Sequence, residues 1–259
     1  MSKPLFAKLL AAGILAAGLT MGATPLCAAA RPVTVVLVHG AFENSAVWNA
    51  VIPILQRHGV KVVAVQNPLT SLAADVQNTA RNIDNQDGDV VLVGHSYGGT
   101  VITEAGNNDK VKALVYVAAV SPNSGESGLD EAAPYPKPAL LGHLFVDKQG
   151  MAYATKDGID DLAQDVSASE RRVLLVTQGP IAFTAFQGKV SHAAWASKPS
   201  WSIVADNDHA ISPQEEADSA VRIKAKITHL KSGHEVMLAK PQDVATVILQ
   251  AYQSVAADH

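Results

Sequence analysis

The chain has 259 residues, 48% of them apolar and 17% charged, with a formal charge of -4 at pH 7. That composition excludes a disordered or fibrous chain and fits a single well-buried α/β core. A mildly acidic balance argues against nucleic acid or an anionic membrane as partner and leaves a small molecule as the expected ligand.

Residues 1–30 read as an export leader rather than as part of the fold. Lys3 and Lys8 give a positive start, Leu9 to Met21 is an apolar run, and Ala28-Ala29-Ala30 offers a small-residue cleavage site. The run is shorter than the roughly 20 apolar residues that a membrane anchor needs. Cys27 is the only cysteine and leaves with the leader, because Leu26 stands where an acylation site would want a small residue. The mature chain, 31–259, is therefore expected to be exported, periplasmic or extracellular, with no stable membrane anchor and no disulfide. Without Lys3 and Lys8 it carries 18 Lys and Arg against 24 Asp and Glu.

From Val33 onward, short β-branched runs alternate with amphipathic stretches, the pattern of a mostly parallel sheet covered by helices on both faces. Strands are expected at Thr34–Val38, Lys61–Val65, Asp89–Val93 and Val111–Val117. Helices are expected from Ser45 to Arg57, closed by His58-Gly59, then at Leu72–Ile83 and Tyr97–Gly106. After Ser121 the alternation stops for about seventy residues punctuated by Pro122, Pro134, Pro136 and Pro138. An unstructured loop of that length does not suit a compact domain, so 122–198 reads as an inserted cap. Alternation resumes with strand Trp201–Ala205, helix Gln214–Ile223, strand Lys226–Leu230 and a last helix from Pro241 to Val255, giving about six strands.

The chemistry starts at Gly94-His95-Ser96-Tyr97-Gly98, a G-x-S-x-G pattern directly after a strand and before a helix. A serine on so sharp a turn has a strained backbone. Gly94 and Gly98 remove collisions with strand and helix, and Gly99 allows a close helix approach. Ser96 then sits at a helix N-terminus, where developing negative charge is favoured. A Walker-type phosphate loop is disfavoured, since no lysine precedes the serine.

A serine hydroxyl needs a base, and in this topology the acid and then the base follow it in the chain. His209, His229 and His234 are the downstream candidates. His229 lies within a strand and reads as structural. His234 follows that strand in a turn before the last helix, where it can reach across the sheet edge, and is the expected base. His234-Glu235 does not begin a zinc motif, because Leu238 stands where H-E-x-x-H requires histidine. For the acid, Asp206 and Asp208 both follow the strand that ends at Ala205, and chemistry alone leaves both open. A calcium loop is disfavoured by the missing glycine and distal glutamate. No metal and no cofactor is expected. The oxyanion donors are expected to be the backbone N–H groups of Tyr97 and of Ala41, which lies in the run His39-Gly40-Ala41-Phe42.

With these residues in place the chain resembles the α/β-hydrolase family, and within it the small serine esterases of the methylesterase and hydroxynitrile lyase group. The resemblance rests on Val38-His39-Gly40-Ala41-Phe42, Gly94-His95-Ser96-Tyr97-Gly98-Gly99, Val115-Tyr116-Val117-Ala118-Ala119 with Gly125-Glu126-Ser127, and Gly233-His234 with Met237-Leu238. It implies an α/β-hydrolase fold with an inserted cap, and the family's spacing, matched by Asp208-His209-Ala210-Ile211-Ser212-Pro213, selects Asp208 as the acid. The implied activity is hydrolysis of a small carboxylic ester through an acyl-enzyme. Two alternatives share the fold: a hydroxynitrile-lyase-type enzyme, for which Lys137, Lys148, Lys156 and Lys189 are candidate cations, and a non-catalytic small-molecule-binding protein. Phe42 and Tyr97 are expected to line the pocket as apolar surface, while Trp195 either joins them or packs the cap onto the core.

Overall fold

The structure, a computed structural model, describes residues 31–257; the expected leader and Cys27 lie outside the described residues. Six strands form the main sheet: β1 (Val33–Val38), β2 (Lys61–Val65), β3 (Asp89–Ser96), β4 (Val111–Ala119), β8 (Ser200–Ala205) and β9 (Lys226–Leu230). Their spatial order is β2-β1-β3-β4-β8-β9, and every neighbouring pair is parallel. The mostly parallel six-stranded α/β-hydrolase architecture expected from the sequence is therefore present. The chain leaves β1 toward one edge for β2 and returns beside β1 on the other side as β3. This reversal opens a crevice at the carboxyl ends of β1 and β3, where ligands bind in open α/β sheets.

Parallel strands buried on both faces read as continuous β-branched runs, and β1 (VTVVLV) is buried at all six positions. Side-chain alternation then sorts each strand into two cores. Val36, Val38, Leu92, Leu114 and Tyr116 face one side, under α2 (Leu72–Asp84) and α3 (Gly98–Ala105). Val35, Leu37, Val91, Val93, Val115 and Val117 face the other, against Trp48, Leu55 and the long α9 (Pro241–Ala256).

The helix expected over Ser45–Arg57 is in fact two pieces. A 3-10 turn at Ser45–Trp48 is capped by Asn44, and α1 starts afresh at Ile52–Arg57. Pro53 sits in the first turn of α1, where its missing N–H costs nothing; inside one continuous helix it would have broken a bond. Gly59 closes α1 with φ +76°, as its residue type requires. Before α9 a short α8 (Val236–Ala239) was not expected; Pro241 separates the two.

Segment 122–198 folds over the sheet's carboxyl edge as α4 (Gly128–Ala132), α5 (Lys156–Leu162), α6 (Ala168–Thr177) and 3-10 turns at Ala139–His143, Phe183–Gln187 and Ala194–Ala196. It also holds a small antiparallel sheet, β5 (Leu144–Val146), β6 (Met151–Ala154) and β7 (Ile181–Ala182), whose strands are too short to leave an alternation pattern in the sequence. Polar ties fix this segment to the body. Glu131, buried at the end of α4, accepts from Ser121 N and from Arg222 of α7 (Pro213–Arg222). Main-chain and side-chain bonds run from Gly233 N to Asp165, from Glu235 N to Leu162 O and from Gln164 to Asn207 O. The segment thereby grips the loops after β8 and β9.

Candidate active site

Ser96 ends β3 with φ +54°, a left-handed backbone that a non-glycine residue adopts at a cost of about 1–3 kcal/mol. The turn tolerates no side chain beside it. A Cβ at Gly94 would lie 2.5 Å from the carbonyl oxygen of Gly98, and one at Gly98 would lie 2.8 Å from those of both Val38 and His39. Ser96, Ala41 and Tyr97 line one cavity of about 820 Å3 including its open mouth, so the expected nucleophile and both expected oxyanion donors meet at the β1–β3 crevice.

The loop after β8 carries Asp208, and the loop after β9 carries His234. Their side chains meet with Nδ1 of His234 2.6 Å from Oδ2 of Asp208, both buried. The other carboxylate oxygen of Asp208 accepts from Ala210 N at 2.6 Å and Ile211 N at 2.9 Å. Burial pushes the Asp208 carboxyl up, but the His234 charge and these hydrogen bonds outweigh it and hold the carboxyl below its ordinary range. For His234, burial disfavours the imidazolium; the facing Asp208 carboxylate and its hydrogen bond more than reverse that, pushing it up to about 9. Nδ1–H is committed to Asp208, which leaves Nε2 as the basic nitrogen. Glu216 of α7, whose Oε2 accepts Ala205 N at 2.9 Å, sits beside Asp208, and burial and the Asp208 charge push its carboxyl well above the ordinary range.

The other candidates lie elsewhere. Asp206 pairs with His229 at 2.8 Å on a half-exposed surface, so the two aspartates left open by chemistry are separated by geometry. His209 is largely exposed, 3.8 Å from Asp161 of α5. His39 is buried with Nδ1 donating to Gly40 O and Nε2 accepting from Asn67 N, a satisfied neutral histidine whose pKa burial lowers.

The cavity is apolar. Phe186 of the cap packs against Phe42, Tyr97 and Phe183 with ring centroids 6.3, 5.7 and 6.0 Å apart, and Leu140 and Leu144 complete this wall. Tyr97 turns its hydroxyl away, donating to Asp75 at 2.8 Å, and presents its ring. Trp195 donates its indole N–H to Pro122 O and packs on the core beneath the cap, so it holds the cap rather than the ligand. Among the described residues, none of Lys137, Lys148, Lys156 and Lys189 lines the cavity; Lys156 pairs with Asp160 and Lys189 with Asp130.

Three buried residues beside this site escaped the sequence reading. Glu43, His95 and Glu235 bring their donor atoms within 4.8 Å of one another and are, among the described residues, the one trio so placed that could ligate a metal ion. His95 packs against His234 with ring centroids 4.6 Å apart and ring planes tilted by 49°. No local pattern marks these residues: Glu43 and Glu235 are ordinary loop glutamates, and His95 occupies the variable second position of G-x-S-x-G.

Comparison with known proteins agrees with this fold. The profile described as Alpha/beta hydrolase family matches residues 35–247. A carbendazim hydrolyzing esterase from a Nocardioides strain is 26% identical over 219 residues, 65% of this chain and 88% of that protein. Methylesterase 2 of Arabidopsis thaliana is 33% identical over 113 residues, 36% of this chain and 41% of that protein. Among solved structures, a pyrethroid hydrolase from Sphingobium faniae JZ-2 superposes with a TM-score of 0.73 at 20% identity, covering 88% of this chain and 100% of that one.

Proposed function

This chain belongs to the α/β-hydrolase family, and on that premise we propose that it is a serine-dependent carboxylic ester hydrolase acting on small apolar esters. The observation that carries the proposal is the buried Asp208–His234 pair, set at the same sheet edge as the strained Ser96 and opening on an apolar cavity. The esterase names of its relatives support the same reading.

In this mechanism Nε2 of His234 takes the Ser96 proton as Oγ attacks the ester carbonyl. Asp208 holds the imidazole with its proton on Nδ1 and stabilises the imidazolium that forms. The carbonyl oxygen becomes an oxyanion and is met by the N–H groups of Ala41 and Tyr97, neither of which needs a particular side chain. The imidazolium then protonates the leaving alcohol. Water, deprotonated by His234, releases the acid from Ser96 in the mirror-image steps. Phe42, Tyr97 and Phe186 exclude bulk water and hold the apolar part of the substrate.

The test is pre-steady-state hydrolysis of an activated short-chain aryl ester. A burst of alcohol equal to the enzyme concentration, abolished in Ser96→Ala and by organophosphate treatment, is expected. Full activity in Ser96→Ala would overturn the proposal.

Among the described residues no helix is long and apolar enough to cross a membrane. The leader-like sequence of residues 1–30 supports export of the mature enzyme, and N-terminal sequencing of periplasmic or secreted protein, expected to begin just after Ala30, tests it.

A further inference from the structure

The trio behind His234 has hydrogen-bond directions that can be worked out atom by atom. Nε2 of His95 lies 3.1 Å from the carbonyl oxygen of His234, and a carbonyl can only accept, so Nε2 carries a proton. Nδ1 of His95 is hydrogen-bonded to Oε2 of Glu43 at 3.1 Å. Oε2 of Glu43 accepts the N–H of Gly40 at 2.8 Å. Oε1 of Glu43 and Oε2 of Glu235 have no other hydrogen-bond partner, and a hydrogen bond between the two carboxyls needs a proton between them. All three side chains are buried, Glu43 at 5% exposure and Glu235 at 3%. Ionised carboxylates in that place would each need a paired charge.

We propose that Glu235, Glu43 and His95 form an uncharged proton relay that positions the general base. In this relay Glu235 O–H donates to Glu43 Oε1, Glu43 Oε2–H donates to His95 Nδ1, and His95 Nε2–H donates to the main-chain carbonyl of His234. Through the Gly40 N–H the same Glu43 holds the residue before Ala41, so one buried carboxyl links the oxyanion loop to the base loop. The inference rests on the assignment of His234 as base, and the three residues act through it and through Ala41 without touching substrate.

Electrostatics agree. Burial pushes Glu43 and Glu235 up, each further raised or lowered by the other and by His95 and His234, and burial together with the His234 charge pulls His95 down to about 4. The titratable groups facing the relay are His39, His234 and Asp208; the one cation among them, His234, is paired with Asp208, and a single charge so placed does not keep both carboxyls ionised. The 3.1 Å separation of His95 Nδ1 and Glu43 Oε2 is that of a hydrogen bond rather than of two ligands spread around an ion.

The test compares glutamine with alanine at both positions. Glutamine keeps a donor and an acceptor where a protonated carboxyl stood, so E43Q and E235Q are expected to restore most of the kcat that E43A and E235A lose. The alanine loss is expected to be on the order of 10- to 100-fold, with KM little changed because the pocket wall is untouched. In the wild type, ionisation of the relay at high pH places negative charge behind His234 and lowers activity; this alkaline limb should disappear in E43Q/E235Q. Independently of activity, infrared absorption of protonated carboxyls in the inactive S96A background should fall when E43Q and E235Q are added. Glutamine variants as damaged as alanine ones, an unchanged alkaline limb, an unchanged infrared band, or a stoichiometric metal ion lost on E235Q would each overturn the relay. Failure of the esterase reading would show instead as activity surviving S96A, and the infrared result would still decide the relay.

Discussion

His234 Nδ1 lies 2.6 Å from Asp208 Oδ2 with both side chains sealed from solvent, while two residues earlier in the chain Asp206 makes a similar 2.8 Å contact with His229 in the open. The same pairing is worth far more where water cannot compete. D208N is expected to lower kcat about 10^3- to 10^4-fold, because the imidazole loses its fixed tautomer. D206N should leave activity unchanged and shift stability by less than about 0.5 kcal/mol. Steady-state kinetics of the two purified variants decide between the aspartates, and a D206N loss as large as that of D208N would reverse the assignment.

The pH–rate profile follows from the charge on His234. Only the neutral imidazole accepts the serine proton, so kcat/KM rises with pH through the His234 pKa, which Asp208 carries from 6.5 up to about 9 against the opposing effect of burial. Replacing Asp208 by Asn removes that charge and leaves the burial. The acid limb should therefore move to lower pH in D208N. A limb that stays in place in D208N would show that another group controls it.

Stability has its own pH dependence. Glu215, buried in the pocket wall, is raised from 4.5 to about 8 by burial and by the charges of Glu131 and Asp208. Between those values the folded protein binds a proton that the unfolded chain has released, so this group's contribution to stability falls as pH rises through that window. E215Q cannot titrate. Its Tm relative to wild type is expected to be higher at pH 8 than at pH 5, and the reverse order in a thermal scan would refute the assignment.

Phe186 is the cap residue that closes the aromatic wall on Phe42 and Tyr97. F186A should raise KM for short aryl esters about 10-fold while shifting preference toward bulkier acyl groups, since the lost apolar contact is worth about 1–3 kcal/mol. A series of esters of graded acyl length measures it. Equal KM for every chain length would place the substrate elsewhere in the cavity.

Gly94 faces the carbonyl oxygen of Gly98 across the serine turn, with 2.5 Å to a hypothetical Cβ. Backbone cannot swing aside as a side chain would, so G94A is expected to destabilise the protein by about 1–3 kcal/mol and to displace Ser96 as well. Urea unfolding with an unchanged m-value, together with a kcat loss exceeding any change in KM, is the expected signature.

Much of this was legible in the chain itself. The six parallel strands stood out because strands buried on both faces must be continuously β-branched, and the serine turn stood out because its steric demands leave few residue choices. His234 could be named from its place after the last strand. Asp208 was separable from Asp206 only through family resemblance, since burial, which distinguishes them, has no local signature. The break within Ser45–Arg57 has a local cause, since Pro53 fits only the first turn of a new helix. The antiparallel strands β5–β7 left no pattern at two to four residues each.

The sequence by itself therefore determined the fold class and the places of the proposed nucleophile and base, because local sterics and hydrophobic periodicity encode them. Only the tertiary structure decided which aspartate meets His234, which aromatic rings line the cavity, and that Glu43, His95 and Glu235 converge behind His234. Those are relations between residues far apart in the chain, 139 positions in the case of His95 and His234, and burial and distance between such residues exist only once the chain has folded.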